Sequence, residues 1–286
     1  MSICIVMPMY GLPEMTKNCI DYTIKNAGVE HQILVVDDGS LEPFHDDRVT
    51  VLRLDKNIGF TGATNKGILW AMERKFDYVF LLNNDTEPQP DFLKILLEAI
   101  QSEPDIGIAG STREILNDKG VPWIENFGID LITGFHGYTE KDIPDGILYV
   151  VWMSLCSVLI PMEVIQQIGL LDRRMRMYCS DNDYCMRAHQ FGYKVVLLPK
   201  SKVKHFHQRT TKTVGCYADA EKDQEILIGK LSCQLQKEIL DTYPLDWKEK
   251  VWGKLEFSIY KKDKNPEFTD AVIKDVDDKI SQPATT

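Results

Sequence analysis

The chain has 286 residues, 44% of them hydrophobic and 27% charged, with a formal net charge of −10. That balance suits a globular protein with one large core or two modest ones, and it excludes fibrous and disordered classes. The acidic excess argues against a general nucleic-acid binder, whose affinity would come from a basic face. Seven cysteines without a CxxC pair point to reduced, mostly buried thiols. No apolar run is long enough to span a bilayer and the first residues run straight into a strand with no basic leader, so a cytosolic protein is expected.

In chain order, residues 3–7 form an apolar run that predicts a buried strand, broken by Pro8 and followed by Met9-Tyr10-Gly11. A helix is predicted over residues 13–27 and a second strand over 32–36, ending in Asp37-Asp38-Gly39-Ser40. A third strand over 49–54 precedes a helix over 61–74, where Gly62 and Gly67 among apolar residues imply close packing. The fourth strand, 78–82, ends in Asn83-Asn84-Asp85. Strands alternating with helices at this spacing predict a mostly parallel α/β sheet of right-handed βαβ units.

Ligands of such sheets bind at the carboxyl ends of the strands. The Asn-Asn-Asp cluster is placed there to hold a hard cation or hydroxyl groups, or else forms an Asx turn. The paired acids Asp37 and Asp38 can accept from the imide NH of a uracil-type base or from ribose hydroxyls, with Gly39 permitting the turn. Alternatively Asp38 is a helix cap. An acidic protein that binds a nucleotide diphosphate must neutralise the phosphates locally, which gives a divalent cation near Asp85 a physical motive.

Further on, a helix over 90–102 and a strand over 106–109 precede residues 111–146, which lack a sustained period and read as loop-rich. Strands are predicted over 147–152 and 157–160, then a short helix over 161–168 ended by Gly169. The run Met177-Tyr-Cys-Ser-Asp-Asn-Asp-Tyr-Cys-Met-Arg187 begins acidic and becomes a helix that stops at Gly192. Ser180 and Asp183 carry an S-x-x-D capping signature. Residues 209–215 are small, polar and basic, as a loop over an anionic donor or a plain surface loop would be. Residues 218–241 have helical spacing. Between 247 and 264 aromatics alternate with lysines, which suits a membrane surface bearing a lipid-linked acceptor or a helix docked on its own core. Residues 264–286 read as a frayed tail.

Four motifs, in order, resemble the nucleotide-binding half of the family-2 glycosyltransferases: Met7-Pro-Met-Tyr10, Val35-Val-Asp-Asp-Gly-Ser40, Asn57-Ile-Gly-Phe-Thr-Gly-Ala-Thr-Asn-Lys-Gly67 and Leu81-Leu-Asn-Asn-Asp-Thr-Glu-Pro88. The resemblance implies the GT-A fold and an inverting transfer from a nucleotide-diphosphate sugar to a glycan or lipid-linked acceptor. On the matching positions, Pro8, Tyr10, Asp38, Asn57, Ala63, Asn65 and Asn84 are expected at the donor. Asp85 is expected on a Mn2+ or Mg2+ ion, with Asn83 where the D-x-D motif more often has Asp, as in rhamnosyl- and galactofuranosyl-transferase-like members.

The run from Met177 through Gly192-Tyr-Lys-Val-Val-Leu-Leu-Pro199 to His205 resembles the same family's second half. It implies Asp181 as the base that deprotonates the acceptor and His205 as the partner of Asp85 on the metal, with His207 as the neighbouring substitute. Trp152 and Asp183 are the candidates for acceptor contact. The expected division is a donor half over 1–110, an acceptor and catalytic half over 111–215, a helical extension over 216–263 and the tail over 264–286. A sugar-phosphate nucleotidyltransferase would share sheet and metal but should carry a glycine-rich, basic first loop, which Met9-Tyr-Gly-Leu-Pro13 is not. A non-catalytic sugar-nucleotide-binding module stays open at this point.

Overall fold

Strand β1 (Ile3–Met9) is buried at every position, as a strand covered by helices on both faces must be. It lies between β2 (Gln32–Asp37) and β4 (Tyr78–Leu82), parallel to both, and β3 (Thr50–Arg53) extends the parallel set beyond β2. The computed structural model describes residues 1–116, 122–127, 136–138, 146–150, 152–206 and 218–230. The expected features at His207, 209–215, 231–241, 247–264 and 264–286 lie outside these residues.

Pro8 does not break β1. The Met9 carbonyl accepts from the Asp38 N–H on the β2 side, so Pro8 turns its nitrogen toward β4, where the ladder has already stopped at Val6 and Leu81. A proline beyond the end of a ladder removes no hydrogen bond.

Successive residues of the strands feed two cores. Cys4, Val6, Leu34, Val36 and Leu81 pack on one face with Ile68 of α2 (Gly59–Glu73), Ile165 of α4 (Met162–Ile168) and Tyr184 of α5 (Ser180–Gln190). Ile3, Ile5, Met7 and Phe80 pack on the other with Ile20 of α1 (Pro13–Asn26) and Leu93 and Leu96 of α3 (Phe92–Ser102). This alternation follows from the two-residue period of a strand. The described cysteines 4, 19, 156, 179 and 185 are all free thiols, and only Cys179 is not buried. Burial pushes the thiols of Cys4, Cys19 and Cys185 up to about 12.

The second half of the sheet is mixed. β10 (Ser157–Pro161) runs antiparallel to β4 and to β6 (Ile106–Leu116), and β11 (Lys194–His205) runs parallel to β6, which gives the order β3-β2-β1-β4-β10-β6-β11-β5. β5 (Thr86–Pro88) closes the edge antiparallel to β11.

β6 extends well past its expected end at residue 109, and β7 (Pro122–Phe127) and β8 (His136–Tyr138) continue from it as antiparallel strands where loop was expected. The extension escaped hydrophobic patterning because Ser111, Thr112 and Arg113 are polar yet buried. The Ser111 hydroxyl bonds Ser157 at 2.9 Å and Ser201 at 2.7 Å, so its burial is compensated. The strand expected over 147–152 contracts to β9 (Leu148–Tyr149), paired with β11. Among the described residues no helix is long and apolar enough to cross a membrane. Helix α6 (Ala218–Lys230) follows β11 in the chain.

The close packing expected of the glycine-bearing helix is at Gly67, where a Cβ would stand 2.2 Å from Val6 Cγ1 and 3.1 Å from Val36 Cγ2. Replacing Gly by Ala inside a helix gains about 1 kcal/mol in propensity, whereas overpacking costs about 1–3 kcal/mol. The 2.2 Å contact decides the sign. Gly67→Ala should therefore lower stability in a denaturant titration, and a midpoint equal to or above wild type would mean that α2 does not rest on β1.

Candidate active site

Strand directions put the exits of β1, β2, β4, β6 and β11, and the start of β10, on one edge of the sheet. Tyr10, Asp38, Asn83 to Asp85, Cys156 and His205 therefore gather there. Tyr10 follows β1 and is half-buried. After it Gly11 and Leu12 both take left-handed backbone angles, φ 64° and 52°, which turns the chain sharply into α1. The Gly11 N–H donates to Ser40 Oγ at 2.9 Å, tying the first exit loop to the second.

The neighbouring acids Asp37 and Asp38 have different environments. Asp37 accepts from the N–H groups of Ser40 at 2.9 Å and Phe44 at 3.2 Å and from Arg53 at 2.5 Å. Burial opposes its charge, but the Ser40 and Phe44 bonds and the Arg53 guanidinium together hold its carboxyl below the usual range. Asp38 accepts from the N–H groups of Ile58 at 2.8 Å and Gly59 at 2.9 Å, at the start of α2. Here burial wins and pushes the carboxyl up to about 6, against those two amides and the Arg176 guanidinium. Since this pKa is raised on folding from 3.8, its contribution to stability is complete below about pH 4 and lost as pH rises through about 6. Asp38 thus holds the start of a remote helix, and each oxygen that receives a helix N–H retains a lone pair.

Asn57 accepts from Arg176, whose Nη1 also donates to Asp219 of α6 at 2.7 Å. The Arg176 carbonyl accepts from the Thr61 N–H at 3.1 Å, and Thr61 Oγ1 donates to Ser180 Oγ at 3.0 Å. Ser180 therefore lies inside the first turn of α5 and does not cap it; the cap position is Cys179, with φ 62°. Asp181 is the next residue, half-buried, with Oδ1 accepting from the Asn182 N–H at 2.9 Å.

Asp85 and His205, 120 residues apart, are brought together by the pairing of Thr86 with His205 across β5 and β11. His205 Nε2 stands 3.1 Å from Asp85 Oδ1, and both side chains are buried. Burial works against a charge on His205, yet the Cys156 thiol and the Asp85 carboxylate beside it raise its pKa to about 10. The Asp85 carbonyl accepts from the Phe206 N–H at 2.9 Å, fixing the loop from its other side.

Other expected site residues are engaged elsewhere. Pro8 is buried within β1. Ala63 belongs to the core. The Asn65 amide pairs both ways with the Leu171 backbone, at 2.8 and 3.0 Å. Asn84 donates to Thr16 Oγ1 of α1 at 2.9 Å. Asp183, expected at the acceptor, has its two oxygens in ion pairs with Arg187 at 3.0 Å and Lys230 at 2.5 Å. Trp152, 5% exposed, packs in the core that also holds Leu155 and Met175. Arg176, Asp219 and Asp223 are the residues that sequence reasoning missed. Acids on a helix look like a solvated face, and nothing local marks a partner some 45 residues away.

A model of glycosyl transferase family 2 matches residues 4–151. The O-antigen biosynthesis protein RfbC of Myxococcus xanthus is 24% identical over 243 residues, covering 77% of this chain and 18% of that protein. Among solved structures, GalNAc-T7 with UDP, GalNAc and Mn2+ superposes with a TM-score of 0.59 at 15% identity, over 72% of this chain and 44% of that one. S. aureus TarS 1-349 in complex with UDP superposes with a TM-score of 0.54 at 13% identity, over 84% and 69%. These likenesses show the fold, the GT-A arrangement of an open sheet flanked by helices.

The contrast between the paired acids is measurable. Asp37→Ala strands two buried amides and takes the carboxylate partner from the exposed Arg53 guanidinium, so it should cost about 1–3 kcal/mol of stability. Asp38→Ala removes an acid whose charge burial already disfavours and should cost clearly less. Chemical denaturation of both variants at pH 7.5 checks the order, and an equal loss would contradict the separate roles.

Proposed function

The chain belongs to glycosyl transferase family 2, and from that membership we propose that it moves a sugar from a UDP- or dTDP-sugar to a hydroxyl of a glycan or lipid-linked acceptor, with inversion at the anomeric carbon. The observation that carries this reading is the approach of Asp85 and His205 to 3.1 Å on the sheet edge that also holds Asp38. The O-antigen role in the name of the Myxococcus relative supports a polysaccharide acceptor. Asn83 ahead of Asp85 keeps the rhamnosyl- and galactofuranosyl-transferase-like members as the branch we favour.

The residues fit a divalent cation. One carboxylate and one imidazole face each other across a buried contact, and an ion that displaced the proton shared between them would meet a donor set that suits Mn2+ or Mg2+. Such an ion, when bound, would neutralise the diphosphate and ease its departure. Among the described residues no group of three or more His, Cys, Asp or Glu side chains gathers as a metal site, so Asp85 and His205 would be the protein's share, completed by the donor itself.

The chain's own groups then divide the work. Tyr10 stacks on the base, Asp38 accepts from its imide N–H, and Asn57, oriented by Arg176, faces the ribose. Asp181 takes the proton of the acceptor hydroxyl, whose oxygen attacks the anomeric carbon as the bond to the diphosphate breaks on the opposite side. Asp181 lies in the first turn of α5, where the positive end of the helix favours a carboxylate. General-base assistance of this kind is worth about 10²- to 10⁴-fold.

Asp181→Asn should accordingly lower turnover of a nucleotide sugar by about a hundredfold or more while leaving UDP affinity and the melting temperature unchanged. A near wild-type rate would remove Asp181 from the mechanism. The donor base is tested by pH. Asp38 is a stronger acceptor for an imide N–H when ionised than when protonated, and burial pushes its carboxyl up to about 6. Uridine, which has no phosphate to titrate, should therefore bind roughly tenfold more tightly at pH 7 than at pH 5 and change little above that. A flat profile in wild type would exclude Asp38 from the base contact.

A further inference from the structure

The segment Arg176 to Tyr178 lies between α4 and α5 and belongs to neither helix nor strand, so its backbone N–H groups need partners from elsewhere. Three consecutive ones find the same carboxylate. Asp223 of α6 is 1% exposed, and it accepts from the N–H of Arg176 at 2.9 Å through Oδ1 and from those of Met177 at 2.7 Å and Tyr178 at 2.9 Å through Oδ2. Three backbone N–H groups converging on one anion form a concave nest, which holds a charge firmly and is held by it.

The opposite side of this segment is fastened to the start of α2. The Arg176 carbonyl accepts from Thr61, Met177 Sδ accepts from the Phe60 N–H at 3.4 Å, and a Cβ on Gly59 would stand 2.5 Å from Arg176 Cγ. Ile58 and Gly59 are the residues whose amides Asp38 holds. The segment is therefore clamped between the donor-side helix and α6, and it leads within three residues to Asp181.

We propose that Asp223 is a positioning residue of the transfer reaction: by gathering the three amides it sets the path of residues 176–178 and thereby the place of Asp181 at the start of α5. The kinetic part of this inference rests on the transferase reading; the structural part does not. Asp38 binds the α2 amides directly and the Arg176 guanidinium keeps its own tie to Asp219, so loss of Asp223 should fall far more heavily on turnover than on nucleotide affinity.

The experiment compares wild type, Asp223→Ala and Asp223→Asn by amide hydrogen exchange, by UDP affinity, and by release of nucleotide from UDP-glucose, UDP-galactose, UDP-N-acetylglucosamine and dTDP-rhamnose. In Asp223→Ala the amides of residues 176–178 should exchange at least tenfold faster and kcat should fall at least tenfold, with the Kd for UDP changed less than threefold. Asp223→Asn, which retains one accepting oxygen, should recover part of kcat. Should Asp223→Ala not fold, Asp223→Asn carries the same comparison, with intermediate losses expected. Unchanged exchange at 176–178, a kcat within twofold of wild type, or equal losses in kcat and UDP affinity would each overturn the positioning role. A wild-type chain that turns over none of the four sugars would count against the transferase reading instead, and amide exchange would then decide whether Asp223 holds the segment.

Discussion

Two parallel strands cannot be joined by a tight turn; the chain must cross back over the sheet, and each strand then leaves from the same edge. That constraint assembles this site. β1, β2 and β4 are parallel, and β10, antiparallel to both of its neighbours, restores the same direction in β6 and β11. Exit loops from opposite halves of the chain therefore meet at one edge, and the final link is the short β5, whose pairing with β11 sets Asp85 against His205. Were β10 to run the other way, β11 would end at the far edge and His205 would have no route to Asp85.

This dependence explains which parts of the molecule were legible in the amino-acid sequence. The apolar runs of β1, β2 and β4 are continuous, as strands covered on both faces require, and β4 lies where patterning placed it. β6 runs past its expected end because it continues through Ser111, Thr112 and Arg113, polar residues that are buried, with the Ser111 hydroxyl satisfied by Ser157 and Ser201 far along the chain. Exit-loop acids were recognisable as a group, but their individual tasks were not. Asp37 holds its own loop, Asp38 holds the start of another helix, and Asp183 answers two cations. Such differences depend on what lies opposite each carboxylate. No local spacing encodes that.

The two adjacent acids show how one short turn serves both stability and chemistry. Asp37 has a guanidinium and two N–H donors directed at it, enough to overcome burial and keep it charged. Asp38, one residue on, has only two amides and a more distant cation, and burial prevails. Two acids one residue apart are thus set at opposite sides of the ordinary carboxylate range by what lies across from each.

Electrostatics also binds α6 to this edge. Lys230 of α6 reaches both Asp172 at 2.9 Å and Asp183 at 2.5 Å, while Asp219 and Asp223 of the same helix take Arg176 and the amides that follow it. Charges of both signs on α6 are thus matched to opposite charges or N–H groups on the segment from Asp172 to Asp183. Removing Lys230 would take one of two cations from the buried Asp183, at a cost larger than the pair itself contributes. α6 is consequently joined to the active edge by directed polar bonds as well as by the burial of Leu227. Polar bonds fix orientation where apolar contact alone would allow sliding, and the loop they orient is the one that leads to Asp181.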